Sequence, residues 1–458
     1  MDPRGGRNQI MAGIFKSYDV RGVVPDQLTT GDAYKIGKAA AAYLKAKTLA
    51  VGRDARIQSP AMAHALMAGI VAAGCDCIDL GMNPTPMTYY ATGVLGKRVQ
   101  GAIQVTASHN PAQYNGFKFT RGGALPMSYE SGISDIETLV KQDQPGLARR
   151  SGKITARNLR AGYIKHCRQF ADFNRPLKVA IDTGNGVMGD ILPAVLKGLP
   201  LKVVPLYFKP DGRFPNHEAN PLKAENIIDL QKAVLEKKCD AGIAFDGDGD
   251  RVAFVDETGA AVPGDLAGAL MAQMLLKRKG NSGAKVFYDV RATKALPEAV
   301  KAAGGVPLES RVGHSHIKKG LREQNAVMAA ELSGHYYFRD FFYSDSGETA
   351  FFLVLSLLSQ SSEKMSGLVR PLQRYFHTGE INFEVHDAAK ALAAAEARYG
   401  SQAKISRIDG ISLDLGSWWF NLRMSNTEPV VRLNLESLAS HDEMEARKKE
   451  VSELIQNA

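Results

Sequence analysis

Lys178-Val-Ala-Ile-Asp-Thr-Gly-Asn-Gly186 reads as a short apolar strand running into an aspartate and a glycine-bearing turn. The same plan recurs in Leu49-Ala-Val-Gly-Arg-Asp-Ala-Arg56 and in Lys285-Val-Phe-Tyr-Asp-Val-Arg-Ala292. An amphipathic helical stretch follows each, as over 59–73 and 293–303, and Gly74 and Gly304 stand where a helix C-terminal cap is expected. A second strand then begins, over 77–80, 201–204 and 306–308. A β-α-β unit repeated three times, about 105 to 130 residues apart, predicts three α/β domains of similar plan, read as duplicates. The remainder lacks the repeat: a strand over 381–385, an alanine-rich helix over 388–399, a strand-like 410–420 and a charged helix over 441–456. The fold class is therefore α/β, three similar α/β domains plus an α+β C-terminal domain. Polar and glycine-bearing stretches place the domains at 1–152, 153–258, 259–369 and 370–458.

The 458 residues suit three or four domains at roughly 150 residues each, and 45% hydrophobic content is enough for each to bury a core. No run of 18 apolar residues occurs, so no membrane span is expected, and the most apolar window, 349–359, reads as a buried helix. Residues 1–9 are polar and glycine-rich, which reads as a disordered extension rather than a signal peptide. Cys75, Cys77, Cys167 and Cys239 lack metal-type spacing and read as buried reduced thiols of a cytoplasmic protein. The net charge of +9 comes from scattered basic residues. Nucleic-acid binding can be read from that charge, although the basic residues are not clustered, and a cleft that concentrates a small phosphorylated substrate fits as well; the charge alone decides nothing.

Four loops carry chemistry. In Thr106-Ala-Ser-His-Asn-Pro111, Ser108 should sit at a strand end beside His109, and a serine hydroxyl needs a base or a cationic setting to act as a nucleophile. Asn115-Gly116 reads as a tight turn folding Lys118 back towards it. In Asp246-Gly-Asp-Gly-Asp-Arg251, alternate positions on an extended segment would aim three carboxylates the same way, a hard-oxygen set suited to Mg²⁺. Two other readings compete. An EF-hand-like calcium loop would need glycine where Arg251 stands and helices where strands flank. A solvated acidic turn would leave three carboxylates repelling each other. Ala329-Ala-Glu-Leu-Ser-Gly-His335 alternates Glu331, Ser333 and His335, and a carboxylate can accept two adjacent sugar hydroxyls. Arg423-Met-Ser-Asn-Thr-Glu-Pro429, with Arg432 after it, offers a guanidinium, hydroxyls and an amide to a phosphate.

In this order the four motifs resemble those of the α-D-phosphohexomutase superfamily over nearly the whole chain. Phe15-Lys-Ser-Tyr-Asp-Val-Arg-Gly22, Tyr114-Asn-Gly-Phe-Lys118 and Gly313-His-Ser-His-Ile-Lys318 are most similar to its bacterial phosphomannomutase/phosphoglucomutase branch. The resemblance implies a heart-shaped four-domain fold with one active site where the domains meet. It implies reversible conversion of mannose and glucose 1-phosphates to 6-phosphates through a phosphoserine at Ser108 and a hexose 1,6-bisphosphate, which also serves as activator. Mg²⁺ would sit on Ser108, Asp246, Asp248 and Asp250, with Arg251 near the transferring group. Tyr18, Arg21, His109, Lys118 and His314 would line the site, and Lys118, His109 and His314 are its acid–base candidates. Glu331 and Ser333, with His335, would hold sugar hydroxyls; Arg423, Ser425, Asn426 and Thr427 would hold the phosphate that is not reacting. Ala330 and Leu332 depart from the family's usual glycine and methionine. Arg291 stands where that branch has lysine, which keeps the charge but not the ability to lose a proton. A monomer acting on a small phosphosugar is expected. The rival readings are a phosphoglucosamine mutase of the same superfamily and a non-catalytic phosphosugar-binding protein.

Overall fold

The structure is a computed structural model that describes residues 13–424 and 430–457. The three predicted β-α-β units form. Thr48–Arg53, Ser59–Ala72 and Asp76–Met82 make the first; Leu177–Asp182, Met188–Leu196 and Leu201–Leu206 the second; Lys285–Asp289, Ala295–Ala302 and Val306–Ser310 the third. The two strands of every unit pair in parallel, the arrangement a crossover helix demands. Gly74 and Gly304 end their helices at φ 82° and 77°, where a Cβ would be strained.

The chain divides into two units, one running to Val262 and including Ser333–Ser366, the other Pro263–Leu332 with everything from Gly367 on. In the first unit, one sheet orders Val20–Val23, Tyr114–Arg121, Gly101–Val105, Thr48–Arg53, Asp76–Met82 and Ile154–Ala156. Its core packs Leu49, Val51, Ile103 and Phe117 against Ile36, Leu66 and Ile70 of the covering helices. The next sheet runs Ala261–Val262, Val252–Asp256, Ala241–Phe245, Leu177–Asp182, Leu201–Leu206. The hairpin Tyr336–Phe338 with Ser344–Asp345 and the buried helix Gly347–Gln360 also lie in this unit. In the second unit Lys285–Asp289 is flanked in parallel by Val306–Ser310 and Met328–Ala330. An antiparallel sheet there orders Phe376–Glu384, Val430–Ser437, Trp418–Met424, Ile411–Asp414 and Lys404–Ser406, covered by Ala388–Tyr399 and His441–Gln456.

Two local expectations need correction. The stretch 410–420 is two antiparallel strands, because Gly416 at φ 90° turns the chain between Asp414 and Trp418. Asn115-Gly116 is no turn: it lies inside the strand Tyr114–Arg121, and Gly116 is required because a Cβ would come 2.0 Å from the Val20 carbonyl oxygen. Among the described residues no helix is long and apolar enough to cross a membrane.

Candidate active site

Ser108 follows directly on the strand Gly101–Val105 and takes φ 50°, a left-handed conformation that costs a non-glycine residue roughly 1–2 kcal/mol. The turn aims its Oγ at the acidic loop, where it donates to Asp246 Oδ2 at 2.6 Å and lies 3.2 Å from His109 Nδ1. Asp246, Asp248 and Asp250 do converge, each offering an oxygen within 4.8 Å of the others, but not by strand alternation. The segment leaves the strand Ala241–Phe245 as a turn, closed by Asp246 N–H to the Arg251 carbonyl and opened at Gly249 by φ 75°. Turning gathers the three side chains inside one loop, where an extended strand would have spaced them along its length.

All three carboxylates are buried. Lys118 reaches them because its strand pairs antiparallel with Gly101–Val105 in the register Gln104↔Lys118. Its ammonium donates to Asp248 Oδ2 at 2.8 Å and to Asp250 Oδ2. Burial alone would lower the Lys118 pKa, but Asp248, Asp250 and Asp246 outweigh it and hold it above the usual lysine value. Asp248, resisted by its own burial, is held low by Lys118 and by Thr85, whose hydroxyl donates to it at 2.5 Å. Burial and the two neighbouring carboxylates push Asp246 up. Among the described residues Asp248 Oδ1 and Asp250 Oδ1 are buried with no hydrogen-bond donor, and an all-oxygen set of this kind fits a hard divalent cation.

Arg251 Nε donates to His335 Nε2 at 2.9 Å, and His335 Nδ1 lies 3.2 Å from Asp345 Oδ2 and 3.9 Å from Asp250 Oδ1. His335 therefore packs beside the arginine of the acidic loop. It does not share the unit that holds Glu331, although the two lie only four positions apart. Arg251, then burial, keeps His109 well below the ordinary histidine value, hence neutral. Arg21 reaches Asn110 Oδ1 and Asp19 Oδ2, both at 2.5 Å, and Tyr18 sits in the bend just before its strand.

The second unit gathers another set. Glu331 Oε1 accepts the Gly313 N–H at 3.0 Å, at the head of the helix that begins with His314. Arg423 and Arg432 (Nη1, 3.3 Å) both reach Glu380, and Arg291 Nη1 lies 3.6 Å from it. Arg291 is itself forked onto Asp289, at 2.9 and 2.8 Å. Three guanidiniums thus face two carboxylates, Glu380 and Asp289, which leaves an excess of positive charge in this corner. Ser333 belongs to the first unit, in the turn before His335. Ser425, Asn426 and Thr427 lie outside the described residues.

Sequence reading missed Thr85, Asp345 and Glu380. None stands in a loop with a recognisable pattern, and each matters only through a partner distant in the chain. Beneath the acidic loop, the Gly347 N–H donates to the Gly249 carbonyl, and the adjacent Glu348 is wholly buried with Tyr163 O–H on its Oε1 at 2.5 Å. Burial lifts the Glu348 pKa from 4.5 to about 7. Between those values the folded protein binds a proton that the unfolded chain has lost, so stability falls as pH rises through the window, by about 3 kcal/mol at one pKa unit per 1.36 kcal/mol. Glu348→Gln keeps an acceptor for Tyr163 and is expected to flatten that slope. The variant should then be more stable than the wild type above pH 7, read from urea midpoints between pH 4.5 and 8.

The phosphoglucomutase/phosphomannomutase family models match throughout: alpha/beta/alpha domain I over residues 12–146, domain II over 161–259, domain III over 263–375 and the C-terminal domain over 380–454. A phosphomannomutase of Salmonella montevideo is 41% identical over 452 residues, covering 96% of this chain and 98% of its own. A phosphohexose mutase of Xanthomonas campestris is 41% identical over 445 residues, with the same two coverages, 96% and 98%. The crystal structure of a phosphoglucomutase/phosphomannomutase family protein from Burkholderia thailandensis superposes with a TM-score of 0.90 at 32% identity, over 97% of each chain.

Proposed function

The chain belongs to the phosphoglucomutase/phosphomannomutase family and is a hexose phosphate mutase, and from that premise we propose that Ser108 is the residue that carries the phosphoryl group. The observation that supports this most directly is the Ser108 hydroxyl 2.6 Å from Asp246 within a buried triad of carboxylates. A nucleophile poised beside a cation cage is what phosphoryl transfer asks for, since positioning and charge stabilisation supply most of the catalysis.

The 6-hydroxyl oxygen of a hexose 1-phosphate attacks the phosphorus on Ser108. The P–Oγ bond breaks, and the hydroxyl proton passes to a base, for which neutral His109 is one candidate and His314 another; Lys118, held as an ammonium by Asp248 and Asp250, can serve only as the acid. The resulting 1,6-bisphosphate turns by about half a rotation. Its 1-phosphoryl group then returns to Ser108, and the anomeric oxygen takes up the proton. Asp246, Asp248, Asp250 and the phosphorylated Ser108 would hold Mg²⁺, which supplies charge neutralisation at the transferring group. Arg251, steadied by His335, faces the same charge. Glu331 would accept the sugar's 3- and 4-hydroxyls, which exchange places when the sugar turns. Arg423 and Arg432, with the 425–427 loop, would hold the phosphate that is not reacting. Glucose and mannose differ only at the 2-position, away from these contacts, so both should be substrates.

The test combines two measurements. With a hexose 1,6-bisphosphate labelled in its phosphates, the label is expected on Ser108 in peptide mass spectra. Initial rates on glucose, mannose and glucosamine 1-phosphates, supplied with Mg²⁺ and the bisphosphate, are expected to be comparable for the first two and low for the third. Label on another residue would overturn the phosphoserine reading. A preference for glucosamine phosphate would move the chain to the sister activity.

A further inference from the structure

Arg56 belongs to none of the motif loops, yet its guanidinium is fully buried and points into the nucleophile loop. Nη1 donates to the carbonyls of Pro111 (2.7 Å) and Tyr114 (3.0 Å), and Nη2 to those of Ser108 (2.8 Å) and Asn110 (2.6 Å). Nε lies 3.2 Å from Asp54 Oδ2. Asp54 also accepts from Thr106 Oγ1 at 2.7 Å and from Ser59 Oγ at 2.5 Å, and Thr106 Oγ1 accepts the Ser108 N–H at 2.9 Å. The backbone of Ser108 is thus gripped on both sides, its carbonyl by Arg56 and its N–H through Thr106 by Asp54. That grip falls at the residue whose φ of 50° is strained.

The contacts continue to the metal loop. The Phe214 ring lies 5.0 Å from the Arg56 guanidinium, and a Cβ on Gly212 would come 2.5 Å from the Arg56 Cα. The same connecting loop brings the Ala219 carbonyl to the Gly247 N–H at 3.2 Å. A Cβ on Gly247 would come 2.5 Å from the Ser108 carbonyl oxygen, the oxygen that Arg56 holds. One planar fork therefore spaces the nucleophile loop against the loop of Asp246, Asp248 and Asp250. Lysine could not replace it, since a point-like ammonium has no rigid fork to meet four carbonyls at once.

We propose that Arg56, with Asp54 and Thr106, is the positioning residue of the phosphoryl-carrying serine, fixing the distance from Ser108 to the acidic triad. The proposal rests on the reading of Ser108 as nucleophile. A positioning role predicts damage to the chemical step rather than to substrate binding, because a displacement of about 1 Å in a reacting group can cost roughly 100-fold. Arg56→Lys is expected to keep KM within about threefold while kcat falls about 100-fold, and single-turnover phosphorylation of Ser108 by hexose 1,6-bisphosphate should slow by the same factor. Thr106→Val, which removes only one acceptor and one donor, is expected to slow both about tenfold and carries the test if Arg56→Lys does not fold. A merely structural role would lower the melting temperature and leave kcat intact. Should every variant that folds keep kcat within threefold of wild type, with wild-type label on Ser108, this proposal alone falls. Wild-type label on another residue would instead overturn the nucleophile reading and this proposal together.

Discussion

Alanine at position 108 is expected to reduce kcat for the interconversion of hexose 1- and 6-phosphates by about 10⁴-fold or more, the scale seen when the nucleophile of a covalent mechanism is removed. The only atom lost is an oxygen that touches Asp246 and His109, so the cause would be the missing phosphoryl acceptor. Substrate affinity should change little, because the sugar and distal-phosphate contacts are assigned to Glu331 and to Arg423 and Arg432. Calorimetric titration of Ser108→Ala with hexose 6-phosphate is therefore expected to return a Kd within about threefold of wild type, alongside steady-state rates near background. A variant that keeps a tenth of wild-type kcat would show that another group carries the phosphoryl.

Lys118→Met is expected to destabilise the metal-free protein and to make its stability strongly metal-dependent. In the structure the Lys118 ammonium is the cation that the acidic triad holds, through Asp248 and Asp250, all of them buried. Methionine fills similar space without the charge. Removing one partner of a buried ionic cluster commonly costs roughly 3–5 kcal/mol, because the charges left behind keep their desolvation penalty. For a cooperative unit of roughly 300 residues, at about 2.1 cal/mol/K each, that is a fall of about 5–8 °C in the first thermal transition when measured in a chelator. Added Mg²⁺ would then meet three carboxylates with no ammonium to displace. A ligand at 100 times its Kd contributes about 2.7 kcal/mol, so the metal-induced rise in melting temperature should be larger in the variant than in wild type. Equal melting temperatures in chelator would show that the triad does not depend on Lys118 for its charge balance.

Much of the fold was legible because its signals are local. The strands at 49–56, 178–186 and 285–292 end in an aspartate and a turn, and caps such as Gly74 announce themselves by position. The helices Ala388–Tyr399 and His441–Gln456 form over the residues expected. Legibility failed where a residue has two uses. Gly116 suggests a turn after asparagine, but is required by the close passage of the Val20 carbonyl in the neighbouring strand. In 246–250 the acidic pattern is readable, but the alternation of an extended strand does not account for the convergence, because the chain turns at Gly249. His335 follows Glu331 so closely that a shared role was natural. Its bridge to Arg251 also places it beside the acidic loop, which its spacing from Glu331 does not show.

The order of elements, the three α/β units and the candidate serine, carboxylates and arginines were legible in the sequence alone, since periodicity, capping and functional-group chemistry act within a few residues. Only the tertiary structure decided which of these groups meet. Arg56 holds carbonyls 52 to 58 positions away, Lys118 reaches carboxylates 130 and 132 positions away, and Glu380 collects arginines from three separate stretches. Such partnerships leave no local pattern, because a buried charge is satisfied by whatever the folded backbone carries past it, at any distance along the chain.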